Sequence, residues 1–236
     1  FGSWTNGLTA GASNAYDSYY MAFPYLKMIK EGKVGTEELN DKVRRVLRLI
    51  YRTEMNRNRP WGSMNSEAHY AAARQIAQEG IVLLKNDHQV LPINLDQGKK
   101  IAVVGENAVK MMTVGGGSSS LKVQREISPL EGIKARVGNQ AEVVWVRGYV
   151  GDTSTSYNLV DTGQDLTDNR SPEVLIAEAV EAAKDADYVI FVGGLNKSAH
   201  QDNESTDRYD TFLPYDQQDV IDALAEVSDK FVVVNI

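Results

Sequence analysis

Strands and helices alternate along most of this chain, and that order limits the fold more than any other feature. Apolar runs predict strands at 101–105, 142–147, 188–193 and 231–236. The spacing predicts helices over 172–185, with Ser171 as cap and Pro172 in the first helical position, and over about 215–228. Strand, helix, strand in this order implies a parallel sheet with right-handed crossovers. The expected fold is α/β, a mostly parallel sheet flanked by helices.

The first third reads differently. A turn-rich opening leads into an aromatic run around Tyr16, Tyr19, Tyr20, Phe23 and Tyr25. Thr36 is expected to cap a helix over 36–50, with Glu37 and Glu38 in its first turn, where the helix dipole favours negative charge. Leu39, Val43, Val46, Leu47 and Ile50 recur at helical spacing, so this helix should lay one face on a larger body. From Arg52 to Ser66 periodicity is lost in a polar stretch with turn formers, which reads as a linker. Ser66 then caps an alanine-rich helix ending near Gly80. The chain opens at Phe1 without a methionine and ends within an apolar strand, so it reads as an internal piece of a longer polypeptide.

Composition removes several function classes. With 236 residues, 42% of them hydrophobic, the chain suits one large or two small domains. A net charge of -7 without a basic cluster argues against nucleic acid as partner. No apolar run approaches the length of a membrane span. There are no cysteines, and His69, His88 and His200 lack ligand spacing, so neither a metal site nor another cofactor is expected.

Two loops carry chemical interest. Gly115-Gly-Gly-Ser118 follows the strand at 101–105, but its spacing fits neither common phosphate-binding pattern. Its small residues suit close backbone approach to a neutral ligand or a neighbouring domain. The second loop follows the strand Tyr188–Gly193 and carries Glu204, Asp207 and Arg208, with His200, Asp202 and Asp210 nearby. In α/β sheets, ligands gather where loops leave the carboxyl ends of strands. A carboxylate there, beside one arginine and further acids, suits general acid or base work. A solvated acidic connection is the alternative reading of the same residues.

Taken in order, several phrases resemble glycoside hydrolase family 3. They are Gly32 to Leu47, Gln78 to Asn86 with Leu91-Pro92, Ile101 to Ala108, Gly115 to Ser118, Ser128 to Ile133, and Glu204 to Arg208 with Leu213-Pro214 and Gln217. The resemblance implies a TIM-like barrel paired with an α/β sandwich, with the active site between them. Residues 1–52 then resemble the end of the barrel domain, 53–70 an interdomain linker, and 71–236 a sandwich domain that is incomplete at its carboxyl end. The family nucleophile, an aspartate in a Ser-Asp-Trp type motif, has no counterpart here and is expected upstream of Phe1.

Glu204 falls on the family's acid/base position, with Asp207 and Arg208 as a pair supporting the loop. Ser205 stands where glycine is commoner, and the stretch 197–203 is longer than expected, which leaves Asp202 and Asp210 as competing acids. Gly117 and Ser118 are expected at the rim of the cleft, and His200 in contact with ligand. The implied activity is retaining hydrolysis of terminal non-reducing β-linked glucose from a β-glucoside or short β-glucan oligosaccharide. A non-catalytic carbohydrate-binding module of the same fold is the second reading, and a nucleotide-binding α/β domain the third.

Overall fold

The structure is a computed structural model that describes residues 23–95, 99–113, 121, 123–151, 164–204 and 206–236. The chain divides into two units, Phe1–Tyr70 and Ala71–Ile236. In the first, α1 spans Phe23–Lys30 and α2 spans Glu37–Arg52. The periodic stripe of α2 is real, but none of its side chains is buried: Leu39, Val43, Val46, Leu47 and Ile50 are all exposed. Thr36 precedes the helix without capping it, because its backbone is already helical and its hydroxyl makes no cap bond. Ser66, before α3 (Glu67–Gly80), does cap, accepting from His69 N–H at 3.3 Å.

Among the described residues, the second unit is built on four strands: β1 Lys99–Val104, β2 Ala141–Val146, β3 Tyr188–Gly193 and β4 Phe231–Asn235. All neighbours pair in parallel, in the order β2-β1-β3-β4. Among the described residues, three helices cross between strands: α4 Pro129–Val137, α5 Pro172–Lys184 and α6 Gln217–Val227. Helix α4 lay outside the expected set. It starts on a reciprocal cap in which Ser128 Oγ accepts from Glu131 N–H and the Glu131 carboxylate accepts from Ser128 N–H, with Pro129 at the first helical position. Ser171 precedes α5 with the expected Pro172, but its hydroxyl makes no cap bond.

Successive side chains of a strand point to opposite faces, and the core divides accordingly. Ala102, Val104, Val189 and Phe191 face α5 and α6, against Ala179, Ala183, Val220 and Leu224. Ile101, Val103, Ile190 and Val192 face the other way, against Leu130 and Val137 of α4 and the segment of Val90, Ile93 and Leu95. Phe191 and Leu224 are fully buried. Each such side chain contributes roughly 1.5–3 kcal/mol on leaving water. No helix among the described residues is long and apolar enough to cross a membrane.

Candidate functional site

The chain runs from β1 outward to β2, then returns over β1 to β3. The loops leaving β1 and β3 therefore part in opposite directions, which opens a crevice at the carboxyl ends of those neighbouring strands. Two glycines let the backbones meet there. Gly105 has φ of 123°, and a Cβ on it would lie 2.1 Å from the Val192 carbonyl oxygen; Gly194 has φ of 103°, and its Cβ would lie 2.3 Å from that of Ile236.

Side chains then tie the loops together. Asn107 Nδ2 donates to the Leu195 carbonyl at 3.1 Å, and Asn107 N–H donates to the Tyr149 hydroxyl at 3.3 Å. Tyr149 stacks on Tyr215, and burial pushes its phenol well above the usual tyrosine range. The Tyr215 hydroxyl accepts from Asn196 Nδ2 at 3.1 Å and from Gln201 Nε2 at 2.6 Å. Gln217, fully buried, accepts from Gly194 N–H at 2.7 Å and donates to its carbonyl at 2.9 Å. The loop after β3 thus starts from a fixed base.

Glu204 sits in a turn of that loop with its side chain exposed. Asp202, one competing acid, is paired with Lys197. The other, Asp210, accepts from Phe212 N–H at 3.0 Å through Oδ1. Asp207 and Arg208 do not form the expected pair. Asp207 uses its main-chain carbonyl, 2.9 Å from His200 Nδ1, while Arg208 donates to the Phe212 carbonyl at 2.7 Å. Arginine offers five donors, and here the nearer acceptor is the returning backbone rather than the adjacent carboxylate. Each makes instead one contact within the loop, and each contact uses a main-chain carbonyl. Gly117 and Ser118 lie outside the described residues.

Beside the crevice lies a charged cluster that the sequence reading did not single out. Glu106, after β1, is fully buried, and its Oε2 accepts from Arg147, after β2, at 2.6 Å and from Gly151 N–H at 2.7 Å. Arg147 also reaches Asp168 at 3.5 Å, and Asp168 pairs with Arg170. The Arg170 side chain holds the Asp168 carboxyl well below the usual carboxylate range, helped by the Arg170 N–H. A hollow of about 490 Å³ opens elsewhere, lined by His88, Pro92, Tyr188 and Lys230 at the amino ends of β3 and β4. It lies at the opposite end of the sheet from the loop that carries the candidate acids, and ligands of such sheets gather at the carboxyl end.

Residues 81–236 match the glycosyl hydrolase family 3 C-terminal domain. The chain is 47% identical, over 99% of its length, to the β-glucosidase BoGH3A of Bacteroides ovatus, and 33% identical, over 92%, to a periplasmic β-glucosidase of Salmonella typhimurium. It spans 31% and 30% of those relatives. Among solved structures it superposes on a family 3 β-glucosidase of Bifidobacterium adolescentis with a TM-score of 0.70 and 28% identity, covering 92% of this chain and 28% of that one.

Proposed function

The chain belongs to glycosyl hydrolase family 3, and on that footing we propose that it supplies the acid/base half of a retaining β-glycosidase. The substrate is a β-glucoside or short β-glucan oligosaccharide, from which terminal non-reducing glucose is released. This reading takes residues 1–52 as the end of an upstream barrel domain, 53–70 as linker and 71–236 as most of the sandwich. The division after Tyr70 and the family match over 81–236 support the reading of the third part. The relatives, of which the chain spans about a third, are named for β-glucosidase activity.

One observation carries the assignment of Glu204: it stands on the loop that leaves the carboxyl end of β3, beside the point where strand order reverses. Retention needs two carboxyl groups roughly 5–5.5 Å apart. The nucleophile, an aspartate from the upstream barrel, attacks the anomeric carbon while Glu204 gives its proton to the departing glycosidic oxygen. A glycosyl-enzyme ester forms and the aglycone leaves as an alcohol. Glu204, now a carboxylate, then takes a proton from water as that water attacks the anomeric carbon and expels the aspartate. A general acid must hold its proton until it is needed, which desolvation and a neighbouring like charge both favour. An exposed loop acid meets that condition when a second domain closes over it. Gly117 and Ser118 are assigned to the rim of that cleft.

The test is made on the full-length enzyme. Glu204→Ala should slow cellobiose hydrolysis by roughly 10²–10⁴, slow glycosylation by activated aryl glucosides far less, and regain turnover on those substrates with azide. Equal losses on both substrate classes without azide rescue would remove Glu204 from the role.

A further inference from the structure

The ring of His200 is engaged at both nitrogens by its own loop. Nδ1 lies 2.9 Å from the Asp207 carbonyl oxygen, and Nε2 lies 2.8 Å from the Tyr209 hydroxyl. A carbonyl oxygen only accepts, so Nδ1 carries the proton. In the neutral ring Nε2 is then the acceptor, and Tyr209 donates to it. The two rings also stack, with centroids 4.1 Å apart and planes inclined by 23°. On the main chain, His200 N–H donates to Thr206 Oγ1 at 2.9 Å, and that hydroxyl donates to Asn203 Oδ1. These contacts fall on both sides of Glu204, with Asn203 before it and Thr206 and Asp207 after it. His200 has φ of 62°, a left-handed backbone that bends the chain back toward the residues it holds.

We propose that His200 is a positioning residue for Glu204. It grips the loop at 206–207, and Thr206 in turn holds 203, so that the carboxyl between those points is presented in one place. This rests on the reading of Glu204 as acid/base. It also changes the role expected for His200 from the sequence, because a ring with both nitrogens in use has none left for a sugar hydroxyl. Tyr209 acts at one remove, holding the plane of the imidazole, whose tautomer the Asp207 carbonyl sets.

A conservative variant isolates the grip. The amide nitrogen of asparagine reaches about as far as histidine Nδ1, and asparagine accepts left-handed backbone well. His200→Asn therefore keeps a donor for the Asp207 carbonyl, whereas His200→Ala loses every side-chain contact. In the full-length enzyme, His200→Ala should lower kcat on cellobiose by about 10- to 100-fold, the scale set by moving a reacting group by an ångström. The loss should be smaller on a dinitrophenyl glucoside, whose leaving group needs no proton. His200→Asn should recover most of it. A loss that falls on KM, is equal for both substrates and is not recovered by asparagine would overturn the proposal and make His200 a sugar contact.

Amide hydrogen exchange over 201–209 judges the grip apart from catalysis. Exchange should quicken in His200→Ala and slow again in His200→Asn; unchanged exchange in His200→Ala overturns the grip. If exchange responds while Glu204→Ala shows neither leaving-group dependence nor azide rescue, it is the acid assignment that fails. His200 then closes a loop without serving the acid.

Discussion

The Glu106 carboxylate and the Arg147 guanidinium meet at 2.6 Å with both side chains buried, 1% and 7% exposed. The pair joins the turn after β1 to the turn after β2, so it sets how the two backbones leave the sheet beside the crevice. Gly151 completes the arrangement, since a Cβ there would lie 2.4 Å from Glu106 Oε1. Taking two charges out of water opposes folding, but removing one partner leaves the other buried with only a longer contact, Arg147 to Asp168 at 3.5 Å or Glu106 to Lys110 at 3.7 Å.

Glu106→Ala should therefore destabilise the protein by about 3–5 kcal/mol. Glu106→Gln with Arg147→Met should be less harmful than either single change, because neither half of the 2.6 Å pair is left without the other. Urea unfolding of the four proteins in this cycle measures the difference. Additive losses would mean that the pair is not coupled.

Gln217 satisfies the N–H and the carbonyl of Gly194 at once, from a fully buried position. Gln217→Leu keeps volume but leaves both groups unpaired. The change should cost about 1–3 kcal/mol for each buried group left without a partner. It should also loosen the base of the acid loop. Denaturant midpoints and amide exchange of residues 194–196 check the two effects together.

Asp168 sets a pH dependence. Its carboxyl is held low in the folded state, first by the Arg170 side chain, then by the Arg170 N–H, with Arg147 adding attraction. The unfolded chain therefore binds a proton before the folded one does as pH falls. The stability it contributes is present above the ordinary aspartate value near ~3.9 and is lost below it. Asp168→Asn should lower stability at neutral pH and flatten the acid limb below about pH 4. Melting curves at pH 7 and pH 3 make the comparison, and an acid limb as steep as the parent's would assign that limb to other carboxylates.

The competing acids make a control for the catalytic assignment. Asp202 is held by Lys197, and Asp210 spends an oxygen on Phe212 N–H. In the full-length enzyme, Asp202→Ala and Asp210→Ala should lower kcat without azide rescue and without dependence on the leaving group. Rescue in either variant would move the acid/base role to that residue and leave the family unchanged.

Much of the sheet was legible because burial on two faces demands long apolar runs. The expected 188–193 coincides with Tyr188–Gly193, and 231–236 exceeds Phe231–Asn235 by one residue. Helix α4 was also written in the chain, as Ser128 three residues before Glu131 with Pro129 between them, yet its weak apolar periodicity hid it. Thr36 and Ser171 show the converse: Thr36 has a helical backbone that turns its hydroxyl away from the cap, whereas Ser171 has the extended backbone of a cap but its hydroxyl bonds the Glu173 side chain instead. Glu106 and Arg147 were beyond local reading: they lie 41 positions apart and meet only because β1 and β2 are neighbours. The bonds of His200 are local, but they depend on a left-handed residue that no periodicity announces.

The strand order has a consequence for how the protein is made. β1 and β2 are joined through α4, and β3 and β4 through α6, so each pair closes a loop of modest length. The contact between β1 and β3 spans far more chain, with Lys100 and Asp187 bonded across 87 positions. Doubling a loop costs only about 0.6 kcal/mol, a factor near three in the chance of meeting. That bias is enough to let the two halves form before they join. The acid loop stands on the seam between those halves. Gln217 and Tyr215 hold its base from within one half, but the tie to the other half, through Asn107 and Leu195, forms only when the last long-range contact closes. Pulse-labelled exchange should find Val189 and Val232 protected before Ile101 and Tyr188 are locked together, so that the candidate site is the last part of the sheet to become itself.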